Sequence, residues 1–389
     1  MNVLMVHPHD IHHDPWTIRI LALARELQKH GHTVKICHLP RRDKPKHAPL
    51  RLLRKGDPPL FFMKPRQKNV IYNYQLIRRL ASDCDIIHLQ KCFAAAALPV
   101  LWAGRLLGKR LHYDWDDDET AISKIVEKRR FSRWQLAVYE RMMPHFADSL
   151  TYSSRAIRER ALRIGFPEDR MRHLPVGADA ERFSPDHRSK DILREWGLDP
   201  TKLTVLYIGQ LEGAASAHLL IQAAPEVIRV QPNTQFLFVG GGEQEDALRK
   251  ETENSSTSDA IFLTGYVDSS RMPEIVGAAD ICAACFEDNA GTRAKSPLKI
   301  AEYLASGKPI VASRVGDASW MIDGCGIAVE PGSSQALAQG ILAYAADPDR
   351  RHLDGEKARQ RALQHFTWGK GAERLLEAYS CASKPLVSS

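Results

Sequence analysis

The stretch 286–314, FEDNAGTRAKSPLKIAEYLASGKPIVASR, reads as a loop, a helix and a strand in that order. The loop, 287–296, is polar and carries Gly291, Arg293 and Lys295. Pro297 is placed to open the helix, since its fixed φ suits a first turn that has no use for its missing N–H. Gly307 is placed to end the helix, and 309–313 (PIVAS) returns as a strand. Lys299 and Glu302 are three apart, so they share a helix face near its N-terminus. A helix N-terminus with basic side chains is a ready anion site. A carboxylate one turn further in can accept from the two vicinal hydroxyls of a ribose. On spacing alone, a solvated Lys–Glu pair on a surface helix is an equal reading.

Working outward, the same strand–helix alternation fills the chain. In the first half, 3–6, 33–39, 85–89, 110–114, 149–152 and 171–174 read as strands. Helices are expected at 17–30, 94–107, 131–145 and 154–164. In the second half, 203–208, 235–239, 260–263, 280–286 and 309–313 read as strands. Helices are expected at about 215–229, 243–252, 270–277, 297–305, 333–346 and 350–365, with a last amphipathic segment at 368–379. Such alternation implies parallel sheets covered by helices on both faces. The expected fold is α/β, two Rossmann-like doubly wound domains facing a central cleft, where open α/β sheets bind ligands. The boundaries read as 1–180 for the first domain, 181–200 for a polar hinge with Pro185 and Pro200, and 201–365 for the second domain. Residues 366–389 read as a C-terminal helix packing back on the first domain.

At 389 residues with 44% apolar and 26% charged residues, the chain suits two globular domains. No apolar run is long enough to span a bilayer. Met1–Val6 lacks the basic n-region of a signal peptide, so a cytoplasmic protein is expected. Residues 1–185 carry 33 Lys+Arg against 20 Asp+Glu, a net +13; the remainder carries 21 against 27, a net −6. A basic half points to an anionic partner. Basic residues from Arg41 to Lys68 surround the apolar run 60–63, which suits an anionic membrane surface. Docking there would make the protein peripheral on the inner face of the plasma membrane. A second basic cluster is Lys128–Arg130 with Arg133. No nucleic acid is expected, since the aromatics do not interleave with the cations. Seven scattered cysteines argue against a disulfide framework. Cys282 and Cys285 lie in a buried-looking strand with no second ligand pair, so no metal site is expected.

Segment 286–314 resembles the donor-binding segment of retaining GT-B glycosyltransferases, the large family 4, or group 1, that includes sucrose synthases and bacterial mannosyltransferases. The carrying pattern is Pro297, Lys299, Glu302, Tyr303, Ala305, Gly307, Pro309 and Val311. Segments 147–159, 173–185, 236–246 and 263–267 resemble other parts of the family in the right order. The resemblance implies a nucleoside-diphosphate sugar donor, transfer to a hydroxyl with the anomeric configuration kept, and no cofactor. It implies Glu302 on the ribose, Lys299 near the diphosphate, and Gly265, Tyr266 and Val267 at the base. Gly209, Gln210, Gly241, Arg293, Lys295, Ser296, Pro297 and Leu298 complete the implied donor site.

Three departures stand out. Ala294 replaces the family's sugar-binding glutamate. Gln210 and Ala215 fall where it has the arginine and lysine that hold the diphosphate. Asp116 falls where many members have a histidine. Lys299, Arg293 and Lys295 are then the cations left for the diphosphate, which cannot be buried unpaired. Asp116 belongs to the acidic run 114–119 at a strand end. There it would bond donor hydroxyls, orient the acceptor or act as a base; a cation site and a helix cap compete. Histidines cluster at His7, His9, His12 and His13, and His13 or Asp14 is an expected acceptor contact. The acceptor expected from the basic first half is a glycan or lipid-linked, cell-envelope precursor. The missing groups keep two alternatives open: a non-catalytic nucleotide-sugar-binding protein, and a GT-B sugar-nucleotide epimerase.

Overall fold

A computed structural model describes residues 1–12, 17–40, 53–65, 67–126, 130–187, 189–211 and 216–381. The chain divides into two units, Met1–Pro175 with Trp368–Ser389, and Val176–Thr367.

The first unit contains β1 (Asn2–His7), α1 (Ile18–Lys29), β2 (Thr33–His38), β3 (Leu60–Phe62), α2 (Val70–Ala81), β4 (Ile86–Gln90) and α3 (Ala94–Leu107). These are followed by β5 (Arg110–Trp115), α4 (Glu119–Val126), α5 (Arg130–Met142), β6 (Ser149–Tyr152), α6 (Arg155–Arg163) and β7 (Met171–His173). Its seven strands run parallel in the order β3-β2-β1-β4-β5-β6-β7. The central strands are apolar on both faces because helices cover both: β1 buries Val3 to Val6 completely. Residues 60–63, read above as an apolar wedge in a membrane-facing stretch, are a strand and its end. β3 pairs with β2, and Met63 is buried. Residues 41–52 and 66 of that stretch lie outside the described residues, as do His13, Asp14 and 127–129.

The second unit contains α7 (Asp191–Glu195), β8 (Leu203–Ile208), α8 (His218–Val230), β9 (Thr234–Val239), α9 (Glu245–Glu253), β10 (Ile261–Leu263), α10 (Met272–Ala278) and β11 (Ile281–Ala284). It continues with α11 (Ala290–Arg293), α12 (Leu298–Ala305), β12 (Ile310–Ser313), α13 (Ala318–Met321), β13 (Gly326–Val329), α14 (Ser334–Ala345) and α15 (Pro348–His365). Its sheet is also parallel, ordered β10-β9-β8-β11-β12-β13. Residues 181–200, read above as a hinge, fall inside this unit. α7 forms there because Ile192 and Leu193 are fully buried, and it packs against α10. The last helix, α16 (Trp368–Cys381), belongs to the first unit and packs on α1, β6 and β7.

Both sheets are doubly wound, and open α/β sheets of this kind bind ligands at the carboxyl edge of their strands. All seven cysteines are free thiols and buried. Burial pushes Cys37 and Cys285 up to about 12 and Cys84 up to about 11. Among the described residues no helix is long and apolar enough to cross a membrane.

Candidate functional site

In the second unit, three strands end on glycines. Gly209 (φ +149°), Gly240 (φ +140°) and Gly265 (φ +71°) follow β8, β9 and β10. All three conformations are ones that L side chains rarely adopt. The turns touch through backbone alone: a Cβ on Gly240 would lie 1.8 Å from the Gly209 carbonyl oxygen. Gly240 N–H donates to Gly265 O at 2.9 Å, and Leu211 N–H donates to Gly241 O at 3.0 Å. Gln210, between these contacts, is exposed; 212–215, including Ala215, lie outside the described residues.

Lys299 closes this arrangement. A Cβ on Gly209 would lie 2.7 Å from its Nζ, so glycine leaves the space that the ammonium fills. The ammonium sits 3.7 Å from the centroid of the Tyr207 ring and 5.9 Å from that of Phe286. It also lies in the first turn of α12, where the helix dipole opposes a cation. Loss of water pushes it down to about 7; Lys295 adds to that, while Cys285 and Glu302 act against it. An anion there would satisfy both the helix end and the lysine.

Glu302 is one turn on. Loss of water raises its carboxyl to about 8, against Arg182 and Lys299, which lower it. Arg182 is a neighbour that the sequence reading did not anticipate; it also donates to Ser269 O at 3.0 Å. Tyr303 anchors the helix: its hydroxyl accepts from Ile208 N–H at 2.9 Å, tying α12 to β8. Tyr266 and Val267 follow Gly265 at the same sheet edge, and Tyr266 is exposed.

Some expected donor contacts are engaged otherwise. Arg293 makes a bidentate pair with Asp288, 2.6 and 2.9 Å. The expected loop 287–296 contains α11, because Asn289 and Thr292 form a capping box. Ser296 Oγ accepts from Val176 N–H at 3.0 Å. Pro297 is the N-cap of α12 and not its first residue, and Leu298 begins the helix. Ala294 is buried under the same turn.

In the first unit the acidic run divides by role. Asp114 is fully buried and takes both arms of Arg19 at 2.8 Å, with Thr151 Oγ1 donating at 2.8 Å. It is a structural ion pair, held below the usual carboxylate range by Arg19. Asp118 caps α4 by accepting from Ala121 N–H at 2.8 Å, so the helix-cap reading holds for that residue. Asp116 stands between these. Its Oδ2 accepts from Gln90 Nε2 at 3.0 Å, and Arg19 and Lys91 approach to 3.5 and 3.8 Å. Burial raises it to about 6 despite those cations, with Asp117 and Asp114 pushing the same way.

Lys91 carries this cluster, and the sequence reading did not single it out. It is the one non-glycine residue with positive φ (62°) among the described residues. Its buried ammonium donates to Asp117 at 2.7 Å and to Glu119. The β4–β5 register, Gln90 opposite Asp114, is what brings it to residues 116–119. Burial raises Glu119 to about 7, though Lys91 opposes it.

His7, His9 and His38 line the same strand ends. Burial pushes His9 down to about 3, His38 to about 4, and His7 well below its usual value, so all are neutral at pH 7. Among the described residues neither ring nitrogen of His7 has a hydrogen-bond partner, nor do His38 Nε2 or Gln90 Oε1. His12 lies against His38 with ring centroids 5.9 Å apart. Among the described residues no group of three His, Cys, Asp or Glu side chains is arranged to hold a metal ion.

Two family models match the chain. One, for glycosyl transferases group 1, matches residues 202–347. The other, for glycosyltransferase family 4, matches 17–182. A GDP-mannose-dependent phosphatidylinositol monomannoside mannosyltransferase from Mycolicibacterium smegmatis is 30% identical, over 60% of this chain and 62% of the relative. A D-inositol 3-phosphate glycosyltransferase from Nocardia farcinica is 30% identical, over 56% of this chain and 49% of the relative. The chain thus spans 62% and 49% of the length of these two relatives. Among solved structures, a Rickettsia africae glycosyltransferase superposes with a TM-score of 0.76 at 18% identity, covering 99% of each chain. HepE of Anabaena in complex with UDP-glucose gives 0.75 at 18% identity, covering 98% of this chain and 99% of that one. The fold is therefore GT-B, two Rossmann-like domains, as expected from the sequence.

Proposed function

Because the chain belongs to family 4 of the glycosyltransferases, the group 1 glycosyl transferases, we propose that it moves a hexose from a nucleoside-diphosphate sugar to a hydroxyl of a lipid-linked or cell-envelope glycan precursor, with retention at the anomeric carbon. The observation that carries this reading is Lys299, a desolvated cation over the glycine turn that ends β8, at the N-terminus of α12. It supplies the positive charge that Gln210 does not. Glu302, one turn on, suits the ribose hydroxyls, and the Gly265–Val267 turn suits the base. Lys295 and Arg293 border the same loop; Arg293 reaches a diphosphate only by leaving Asp288.

The acceptor oxygen attacks the anomeric carbon as the bond to the diphosphate breaks, and the acceptor proton passes to the leaving phosphate oxygen on the same face. The protein's part is preorganised charge: Lys299 and the helix end stabilise the diphosphate as its charge grows. The acceptor reading is supported by Asp116, His7 and Gln90, polar groups at strand ends of the first unit with hydrogen-bonding capacity to spare at His7 and Gln90. The lipid-linked acceptor is supported by the relatives that act on phosphatidylinositol mannosides.

Thermal shift against a panel of nucleotide sugars tests the reading, on wild type, Glu302→Ala and Lys299→Met. One donor at 100 times its Kd should stabilise wild type by about 2.7 kcal/mol, and both variants should lose the shift. Stabilisation that survives in both variants would sink the site assignment. Binding without turnover on any acceptor would leave the non-catalytic reading in its place.

A further inference from the structure

Large apolar side chains facing solvent are unevenly spread. α2, α3 and α5 expose Ile71 (65%), Leu106 (71%), Phe131 (65%) and Trp134 (61%), with Trp102 and Val138 beside them. α3 packs against both α2 and α5, so these helices form one continuous layer.

α5 is amphipathic in the opposite sense to a core helix. It buries Leu136 and Glu140, while Phe131, Trp134 and Val138, spaced i, i+3 and i+7, form a ridge toward water. The rings of Phe131 and Trp134 stack with centroids 5.9 Å apart, so the ridge is preformed. Exposing such a ridge adds nothing to folding, and contiguous apolar patches rimmed by polar groups mark interaction surfaces.

The charge on the layer has one sign. α2 and α3 contain no Asp or Glu, and α5 contains only Glu140. Glu140 is buried and committed to Trp115, Thr120 and Arg160. The same helices carry Arg78, Arg79, Arg105, Arg130, Arg133 and Arg141. Arg105 also lies over the exposed Phe146 ring, 5.2 Å from its centroid.

We propose that the outer face of the α2–α3–α5 layer docks on an anionic lipid bilayer. Its aromatic and aliphatic side chains enter the headgroup boundary, and its arginines meet lipid phosphates. Tryptophan beside arginine, with no exposed carboxylate, fits a uniformly anionic surface better than the mixed signs of a protein partner. This deepens the lipid-linked acceptor reading and rests on it for its purpose. It also moves the docking surface from 41–68 to the helical layer.

The test is co-sedimentation of the full chain with phosphatidylglycerol-containing vesicles and with pure phosphatidylcholine vesicles, at low and high salt. Binding to the anionic vesicles alone is expected, weakened by salt. Arg130→Ala and Arg133→Ala should each reduce it on the order of fivefold. Phe131→Ser with Trp134→Ser should abolish it, with an unchanged melting temperature showing that the fold is intact. Donor-induced thermal shift, read on the same variants, should be untouched. No binding to anionic vesicles, or binding that survives the double substitution, overturns the proposal. Self-association abolished by the same substitutions, without vesicle binding, overturns it in favour of a second copy. Vesicle binding without any donor shift would instead fault the transferase reading and leave this one standing.

Discussion

At the ends of β8, β9 and β10 the chain turns on Gly209, Gly240 and Gly265, whereas at the ends of β4 and β5 it carries Lys91, Asp114, Asp116 and Asp117. One edge is shaped by leaving side chains out, the other by packing opposite charges together. The first has a fixed backbone outline, with Lys299 projecting at Gly209 and the Glu245–Arg249 pair bordering Gly265. The second is held by ion pairs, so its stability depends on which carboxyls are ionised. The two should therefore fail differently: the glycine edge under added volume, the charged edge under lost charge.

The sharpest way to break the contrast is Gly240→Ala. The added carbon would lie 1.8 Å from the Gly209 carbonyl oxygen, in a backbone conformation alanine resists. We expect a loss of about 4 kcal/mol or more by denaturant titration, together with loss of donor binding. A loss below about 1 kcal/mol would mean that the turns are not locked to each other.

Lys91→Met should cost about 3 kcal/mol, because it strands Asp117 and Glu119. It also changes the pH dependence. Asp116 at about 6 and Glu119 at about 7 lie above their unfolded values. The folded state therefore binds more protons between about pH 4 and 7, and stability falls as pH rises through that window. Removing Lys91, which lowers both groups, should raise them further. The fall then becomes steeper and extends above pH 7, as melting at graded pH would reveal. Lys91→Arg should restore much of the wild-type profile. A uniform loss at all pH values would mean that Lys91 acts through packing alone.

The smallest effect is expected from Arg293→Ala. Its pair with Asp288 is well formed but exposed, and solvent screening leaves such a pair little effect on stability. A donor affinity loss greater than about tenfold would show that Arg293 leaves Asp288 to make a charge-assisted bond to the diphosphate.

Much of the contrast is legible in residues read one after another, because parallel strands buried on both faces appear as continuous apolar runs. β6 over 149–152, β8 over 203–208 and α3 over 94–107 follow directly. α2 does not: its buried face, Val70, Asn73, Ile77 and Leu80, includes an asparagine that bonds Lys64 and Ala95 and breaks the apolar pattern. β3 and β13 are short edge strands of three and four residues, half-buried for most of their length, and so give little signal. At the site, Lys299 and Glu302 are legible because one helix turn joins them. Lys91 is not, since its partners lie 26 and 28 residues away and only the β4–β5 register brings them together. Arg182 near Glu302 is hidden for the same reason.

The buried thiols carry a practical consequence. Maleimides and iodoacetamide react with accessible thiolate, and a thiol that ionises only near pH 11 or above supplies almost none at neutral pH. The native chain therefore offers a quiet background for labelling at Cys37, Cys84, Cys92, Cys282, Cys285 and Cys325, whose thiols burial raises. With Cys381 replaced by serine, a cysteine placed at Val138, on the outer ridge of α5, would carry a fluorophore and report the polarity that ridge meets.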